Sequence, residues 1–276
     1  MSITFIGGGN MATALIGGMH SRGHAVAEFH VVEPHADQRD RLAARFPGIA
    51  VSPETTAAAV AGAGVIVLAV KPQQMRAAAQ ALAAQLPRTA PPVVLSIAAG
   101  IRLADLGRWL GGATRIVRAM PNTPALIGKG ISGAFAPAGV DGAGRALAAE
   151  VLEAGGELVW VDSEPMLDAV TGVSGSGPAY VFYFLEALEE AARDLGFPAG
   201  DARRLAHATF AGAVALAQGS DVPPATLRAQ VTSKGGTTER ALAAMEKNSV
   251  KSSIIAAVNA AAERARELGD AFGSDA

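Results

Sequence analysis

Three small residues near the amino terminus have the spacing of a phosphate-binding turn. Gly7, Gly9 and Ala12 form the pattern G-x-G-x-x-A, with an apolar strand at 3–6 before it and an apolar-periodic helix after it. In this context the first glycine permits a tight turn, the second lets the backbone approach a pyrophosphate, and the alanine allows helix and strand to pack closely. Amides at the start of the helix would face the phosphates. The pattern predicts dinucleotide binding; the alternative is a purely structural glycine turn.

An acidic residue stands where such a site contacts the ribose. Glu33 follows the second predicted strand, 29–32, close to the offset of about 20 residues expected for this position. A carboxylate there hydrogen-bonds a free ribose 2′-hydroxyl and repels a 2′-phosphate, which favours NADH. Arg39 could instead accommodate the phosphate of NADPH. The sequence leaves both cofactors open.

Small or polar turns follow three further predicted strands, 65–70, 93–96 and 115–120. Ligands of parallel doubly wound sheets lie beyond the carboxyl ends of the strands. We therefore expect Lys71 and its neighbours to face the cofactor, although a strand-end lysine can also simply be solvated.

A helical pattern with an unfavourable centre opens the second half of the chain. Apolar residues recur every three or four positions from 166 to 195, which predicts a buried helix. Its centre, VSGSGPAY at 173–180, carries glycines and Pro178, which helix interiors disfavour by about 1 kcal/mol per Gly and about 3 kcal/mol for Pro. We expect a helix opened at one turn, where a backbone or a ligand approaches closely. A packing kink explains the same residues equally well.

A second glycine turn, SKGGTT at 233–238, precedes the last predicted helix. Its amides suit a carboxylate, and its hydroxyls can donate to a neighbouring polar atom. The alternative is an ordinary helix cap in which Thr237 or Thr238 is the N-cap residue.

The elements that must position these turns change in kind at about residue 162. Strands and helices alternate before it, and only helices follow it, the last of which, 239–268, could kink around Asn248. We predict an α/β fold with a Rossmann-like doubly wound sheet in residues 1–162. An all-α domain for substrate binding and dimerisation follows in residues 163–276. The small and apolar faces of its helices predict burial against a second copy of the chain, a homodimer.

Composition argues against several other classes of protein. The 276 residues carry a formal net charge of -2 and no cysteine. No basic cluster interleaved with aromatic residues occurs, so neither nucleic acid nor a membrane is an expected partner. Without thiolates, and with histidines that lack ligand spacing, we expect no metal. No signal sequence or membrane-spanning run is found, so we expect a cytoplasmic protein.

Taken together, the motifs resemble those of pyrroline-5-carboxylate reductases. FIGGGNMA, LAVKP, MPNTP, AVTGVSGSGPAYVF and VTSKGGTTERAL occur in this order, and the resemblance runs from residue 3 to about residue 267. The last two motifs are specific to the family. The resemblance implies reduction of 1-pyrroline-5-carboxylate to L-proline with NADPH or NADH, the last step of proline biosynthesis. It also implies a substrate site at a dimer interface, and dimers that often assemble into rings of five, a homodecamer.

The motifs also assign residues to the cofactor and the substrate. The predicted cofactor-binding residues are Ile6, Gly7, Gly8, Gly9, Asn10, Met11, Glu33, Thr56, Ala69, Val70, Lys71, Pro72, Ile97, Ala98 and Ala99. The predicted substrate-binding residues are Ser176, Ser233, Gly235, Gly236, Thr237 and Thr238, with the substrate carboxylate on the turn at 233–238. Thr238 is the candidate catalytic residue, hydrogen-bonded to the ring nitrogen. A protonated imine is already a strong electrophile, so the protein mainly needs to orient the reactants and exclude water.

Three positions depart from the family pattern. Lys234 stands where the family commonly has Pro, Thr56 where relatives often have a polar amide, and Glu33 where many have a neutral residue. The last two bear on the nucleotide preference more than on the reaction.

Two other classes of protein share part of this layout. β-Hydroxyacid dehydrogenases also join a glycine-loop domain to a helical domain, but they place a Lys shortly after the glycine-rich motif of the long helix. Residues 178–182 contain no Lys. A non-catalytic nucleotide-binding regulator would not need both the GSGP and the SKGGTT turns.

Overall fold

One sheet organises the first part of the chain. The computed structural model describes residues 2–87 and 89–274. Within them the strands are β1 (Ser2–Ile6), β2 (Phe29–Val32), β3 (Ala50–Ser52), β4 (Ala63–Leu68), β5 (Val93–Ser96), β6 (Ile116–Met120), β7 (Gly130–Phe135) and β8 (Gly156–Trp160). Their order in the sheet is β3-β2-β1-β4-β5-β6-β7-β8. Because the chain winds outward from β1 in one direction and from β4 in the other, a topological switch point lies between these two strands.

The sheet is doubly wound, as the sequence predicts, but it is not parallel throughout. The neighbouring strands from β3 to β6 pair in parallel, whereas β7 is antiparallel to β6 and parallel to β8. The short connection of β6 to β7, with its single 3₁₀ turn at Thr123–Ile127, allows the antiparallel pairing because no crossover helix intervenes.

Apolar side chains cover both faces of the sheet. In β4, Val65 and Val67 belong to one buried cluster, while Ile66 and Leu68 belong to the other. The helices of this part are α1 (Asn10–Ser21), α2 (Ala36–Arg45), α3 (Ala57–Val60), α4 (Pro72–Ala83), α5 (Leu103–Trp109), α6 (Gly142–Glu153) and α7 (Met166–Val170). The first cluster takes residues from α1, α2 and α6, and the second from α3, α4 and α5. The alternation of strand side chains therefore places helices on opposite faces.

The long apolar segment after α7 is helical but opens at one turn. Thr171–Gly175 forms a π-helical turn, and the Ser176 amide donates to the Thr171 carbonyl at 2.8 Å, an i to i+5 bond. A Cβ added to Gly175 would lie 2.6 Å from Met120 Cε at the end of β6. The helix opens at one turn, as predicted, and the close neighbour of Gly175 is the Met120 side chain, which agrees with the packing alternative.

The helices that follow are α8 (Gly177–Asp194), α9 (Ala199–Gln218), α10 (Pro224–Gln230), α11 (Thr237–Lys247) and α12 (Val250–Ser274). The predicted kink near Asn248 is a complete break between α11 and α12, with Ser249 at a φ of +55°. Among the helices of the described residues, none combines the length and hydropathy that crossing a bilayer requires.

The prediction that α8 is buried is wrong for the single chain. Within α8 no residue is buried, and Val181, Phe182 and Tyr183 are 43%, 63% and 72% exposed. The neighbouring α9 buries only Ala202 and Ala206. An apolar stripe on a helix predicts that this face of the helix is buried, but it does not show whether the same chain or a second copy buries it. In the single chain, too little apolar surface packs against α8.

The chain divides into two compact units at a point different from the predicted domain boundary. The first unit is Met1–Ser176 with Asn259–Ala276, and the second is Gly177–Val258. The carboxyl-terminal part of α12 thus belongs to the first unit, where Leu268 and Phe272 approach Gly100. The boundary between residues 162 and 163 is a division by function and stays a prediction.

A buried arginine in the first unit is paired with a glutamate after β8. Arg118 on β6 is 3% exposed, and its Nη1 donates to Glu164 Oε1. The same oxygen accepts the Leu103 amide at 2.7 Å, at the start of α5. Glu164 therefore neutralises a buried charge and fixes the start of a helix.

We expect Glu164→Ala to lower the free energy of unfolding by about 3 kcal/mol, because it leaves the buried guanidinium without its counter-charge. Urea denaturation measures the change. Glu153→Ala, which removes an exposed carboxylate from the end of α6, is the control and should change stability little. Equal stability of the two variants would show that the Arg118 pair contributes nothing.

Candidate active site

A crevice lies at the carboxyl ends of β1, β2 and β4, at the switch point of the sheet. Its volume is about 670 Å³, within the range of about 300–1,000 Å³ common for ligand pockets. Of the predicted cofactor-binding residues, the crevice brings together Ile6, Gly7, Gly9, Glu33, Ala69, Val70 and Lys71. It also takes residues that were not predicted from the sequence: Val32, Pro34, His35, Pro53, Glu54, Thr55, Gln74, Ala78 and Ala81.

The three consecutive glycines have different surroundings. Gly7 has a φ of +100°, and a Cβ added there would lie 2.8 Å from the Ala69 carbonyl oxygen. A Cβ on Gly8 would lie 2.6 Å from Leu42 Cδ1, whereas one on Gly9 would meet no atom within 4 Å. Packing within the chain explains the first two glycines. The third leaves its backbone open to a ligand.

The start of α1 faces this opening. Gly9 is its N-cap residue, and no side chain caps the first turn. The first amides of an α-helix have no intrahelical acceptor, and they carry the positive end of the helix dipole. An open glycine beside uncapped amides fits a dinucleotide pyrophosphate.

The Glu33 carboxylate holds the glycine turn. Its Oε2 accepts the Gly8 amide and its Oε1 accepts the His35 amide, both at 3.0 Å. The residue is only 7% exposed, yet it lines the crevice. Glu33 therefore joins the turn after β1 to the turn after β2.

Arg39 is tied to the backbone of the turn after β2. Its Nη1 donates to the carbonyl oxygens of Glu33 at 2.8 Å and Pro34 at 2.7 Å. Arg39 is not among the described residues that line the crevice. Nearby, burial lowers the pKa of His30, whose Nε2 lies 2.9 Å from Ser52 Oγ. His30 is therefore neutral near pH 7 and adds no positive charge at this end.

The other predicted cofactor residues lie outside the crevice lining. They are Gly8, Asn10, Met11, Thr56, Pro72, Ile97, Ala98 and Ala99. Thr56 is exposed, and its hydroxyl caps α3 by accepting the Ala59 amide at 3.3 Å. The side chains of Ile97 and Ala98 are buried, so only their backbone could reach a ligand.

Asn122, in the turn after β6, joins three segments and was not predicted as a site residue. Its Oδ1 accepts the Ile131 amide at 2.9 Å, and its Nδ2 donates to the Ser174 carbonyl at 3.1 Å. It is 9% exposed. The signal in the sequence for this residue was the MPNTP turn, a polar turn that hydrophobic packing does not explain. The asparagine fixes the π-helical turn that leads to Ser176.

In the second unit, the turn at 233–238 is partly satisfied by the chain itself. The Gly235 amide donates to Glu239 Oε2 at 2.6 Å, and the Gly236 amide donates to the Ser233 carbonyl at 3.0 Å. The N-cap of α11 is Gly236, with no side-chain cap, so the alternative with Thr237 or Thr238 as the N-cap residue is wrong. The first-turn amides of Thr237 and Thr238 remain without an intrahelical acceptor.

The groups that line the crevice and those of the turn at 233–238 are suited to binding ligands. In the described part of the chain, no cluster of three or more His, Cys, Asp or Glu is arranged to hold a metal ion. The crevice offers a backbone cradle with a carboxylate, and the turn offers amides with hydroxyls. Such groups position ligands whose own chemistry performs the reaction.

Comparisons with known proteins agree with this geometry. The family model described as "Pyrroline-5-carboxylate reductase dimerisation" matches residues 164–268, and the one described as "NADP oxidoreductase coenzyme F420-dependent" matches residues 2–100. A pyrroline-5-carboxylate reductase of Pseudomonas aeruginosa is 45% identical over 272 residues, 98% of each chain. This chain belongs to the pyrroline-5-carboxylate reductase family. The membership favours the reductase over the β-hydroxyacid dehydrogenase alternative.

Two solved structures of the family resemble the whole chain. The pyrroline-5-carboxylate reductase of Coxiella burnetii superposes with a TM-score of 0.90 at 38% identity, covering 97% of this chain and 98% of its own. The pyrroline carboxylate reductase of Plasmodium falciparum, solved with NADP bound, gives a TM-score of 0.84 at 26% identity and 98% coverage of both chains. The predicted fold class, a Rossmann-like sheet followed by a helical dimerisation domain, is confirmed.

We expect Asn122→Asp to lower the free energy of unfolding by about 1–3 kcal/mol, because the Ser174 carbonyl loses its donor and faces a charge. Urea denaturation measures the change. NADH binding should persist, since Asn122 does not line the crevice. Thr123→Ala, at the exposed neighbouring position, is the control. A stability of Asn122→Asp equal to that of the control would contradict the proposed link to the π-helical turn.

Proposed function

We propose that this chain reduces 1-pyrroline-5-carboxylate to L-proline with NADH or NADPH, the last step of proline biosynthesis, using the residues described above. The observation that carries the assignment of the cofactor is the open backbone of Gly9 beside the uncapped start of α1. When bound, the reduced nicotinamide supplies the hydride that the imine carbon accepts. The chain supplies the binding sites and their orientation.

The glycine turn and Glu33 would hold the nucleotide. The pyrophosphate would lie against Gly9 and the first amides of α1, with the ribose against Glu33. The segment 69–71 follows β4 at the same edge and lines the same crevice. Orientation of this kind can lower a barrier by about 7–11 kcal/mol in well-aligned intramolecular systems. A protonated imine therefore needs no strong acid or base from the protein.

The turn at 233–238 would hold the substrate carboxylate. Because the chain already uses the Gly235 and Gly236 amides, the remaining donors are the amides and hydroxyls of Thr237 and Thr238 and the Ser233 hydroxyl. Thr238 is half-buried and is our candidate to hydrogen-bond the ring nitrogen through Oγ1. The half-buried Ser176 would be a polar contact of the ring. Lys234 is exposed and would add a positive charge near the carboxylate.

The exposed apolar helices support a homodimer. In the second unit, large apolar side chains of α8 and α9 lie exposed in the single chain, and the matching family model describes dimerisation. A second copy of the chain is the partner that we propose for this face. Assembly of five dimers into a ring and a cytoplasmic location stay predictions.

The reaction is tested by adding 1-pyrroline-5-carboxylate to the purified protein with NADH or NADPH and following the absorbance of the reduced nicotinamide. We expect the absorbance to fall and proline to form in equal amount. Binding of nucleotide without any proline would contradict the proposed reaction and favour a regulatory role.

We expect Thr238→Ala to lower kcat about 100-fold, because the ring nitrogen loses the hydrogen bond that orients the imine carbon toward the nicotinamide. Thr238→Ser, which keeps the hydroxyl, should retain most of the activity. Steady-state kinetics with both variants separates kcat from KM. Unchanged turnover in Thr238→Ala would show that the hydroxyl has no role at the nitrogen.

We expect Phe182→Asp to produce monomers, because burial of the new charge in the dimer interface is unfavourable. Light scattering after size-exclusion chromatography measures the mass. Ala44→Asp introduces the same charge on an exposed face of α2 and should leave the oligomer intact. A Phe182→Asp protein with the wild-type mass would exclude the α8 face as the interface.

A further inference from the structure

The Glu33 carboxylate cannot turn away from the crevice without loss of two hydrogen bonds. Each of its oxygens accepts one backbone amide, from Gly8 and from His35, at 3.0 Å. The residue is 7% exposed, so water could not readily replace the carboxylate as acceptor for these amides. The negative charge therefore has a fixed position at the end of β2.

A fixed carboxylate distinguishes a ribose hydroxyl from a phosphate. An ionised carboxylate offers about four acceptor sites, of which the two amides use two. The remaining sites accept a hydrogen bond from a 2′-hydroxyl. A 2′-phosphate offers no donor when ionised, and its negative charge is repelled.

Among the Lys and Arg side chains of the described residues, only Lys71 lines the crevice. Arg39 donates its Nη1 hydrogens to two carbonyl groups and does not line the crevice. Burial lowers the pKa of His30, which is therefore neutral. Lys71 follows β4, and β1 lies between β2 and β4, so the two strand ends are about 10 Å apart. Glu54 adds a second carboxylate to the lining.

We propose that Glu33 makes this chain selective for NADH over NADPH, and that the same carboxylate shapes the glycine turn that binds the pyrophosphate. The proposal rests on the proposed function, since it assigns the nucleotide of that reaction. The two roles are inseparable because the atoms that would meet the ribose also hold the Gly8 and His35 amides.

Because Glu33 has two roles, removal of its charge should change the binding of NADH and the binding of NADPH by different amounts. In Glu33→Gln the side chain has one acceptor oxygen, so one of the two amides loses its acceptor, and the turn is less well fixed. NADH binding should weaken for this reason. NADPH binding should weaken less or improve, because the repulsion of its phosphate is removed.

Isothermal titration of the purified protein with NADH and NADPH tests the selectivity directly. We expect NADH to bind at least tenfold more tightly, and AMP to bind more tightly than 2′,5′-ADP by a similar factor. All titrations are run in the same buffer at about pH 8, above the ordinary pKa of imidazole. In Glu33→Gln the ratio of the two dissociation constants should fall to about threefold or less. Asp37→Asn, which removes an exposed carboxylate of α2, should keep the wild-type ratio.

Two results would overturn the proposal: NADPH binding to the wild type as tightly as NADH, or an unchanged ratio in Glu33→Gln. The wild-type titration decides the selectivity even if Glu33→Gln does not fold. Failure of the proposed function looks different, because the protein would then bind NADH selectively but form no proline from 1-pyrroline-5-carboxylate.

Discussion

The crevice depends on a contact between two backbone segments that leaves no room for a side chain. The turn after β1 passes so close to the end of β4 that a Cβ on Gly7 would lie 2.8 Å from the Ala69 carbonyl oxygen. This contact brings the start of α1 to the switch point of the sheet. The Glu33 carboxylate then fixes the same turn from the side of β2. The shape of the crevice thus follows from one tight turn and one buried carboxylate.

The rest of the first unit supports this edge of the sheet. Apolar clusters on both faces hold the strands in register, and the Arg118–Glu164 pair fixes the start of α5 beside β6. Asn122 joins the turn after β6 to the π-helical turn. The reaction of the family requires orientation of the reactants rather than an acid or base of unusual strength. Hydrogen bonds and ion pairs such as these fix the positions of backbone segments.

Local patterns predicted most of the fold and the glycine turn that lines the crevice. The glycine turn, the alternating strands and the opened helix are visible in short stretches, because residue type alone decides them. Contacts between distant residues were not visible. The link from Asn122 to Ser174 and the reversal of β7 depend on how elements meet. The exposure of α8 in the single chain was not predicted, because the spacing of apolar residues does not show whether the same chain or a second copy covers them.

The most direct measurement follows the transferred hydrogen. The protein is incubated with 1-pyrroline-5-carboxylate and NADH that carries deuterium at both C4 positions, and the proline is analysed by mass spectrometry. Direct hydride transfer to the imine carbon predicts proline with one deuterium at the ring carbon that was the imine carbon. Proline without deuterium, formed at the same rate, would contradict a site that brings the nicotinamide and the imine into contact.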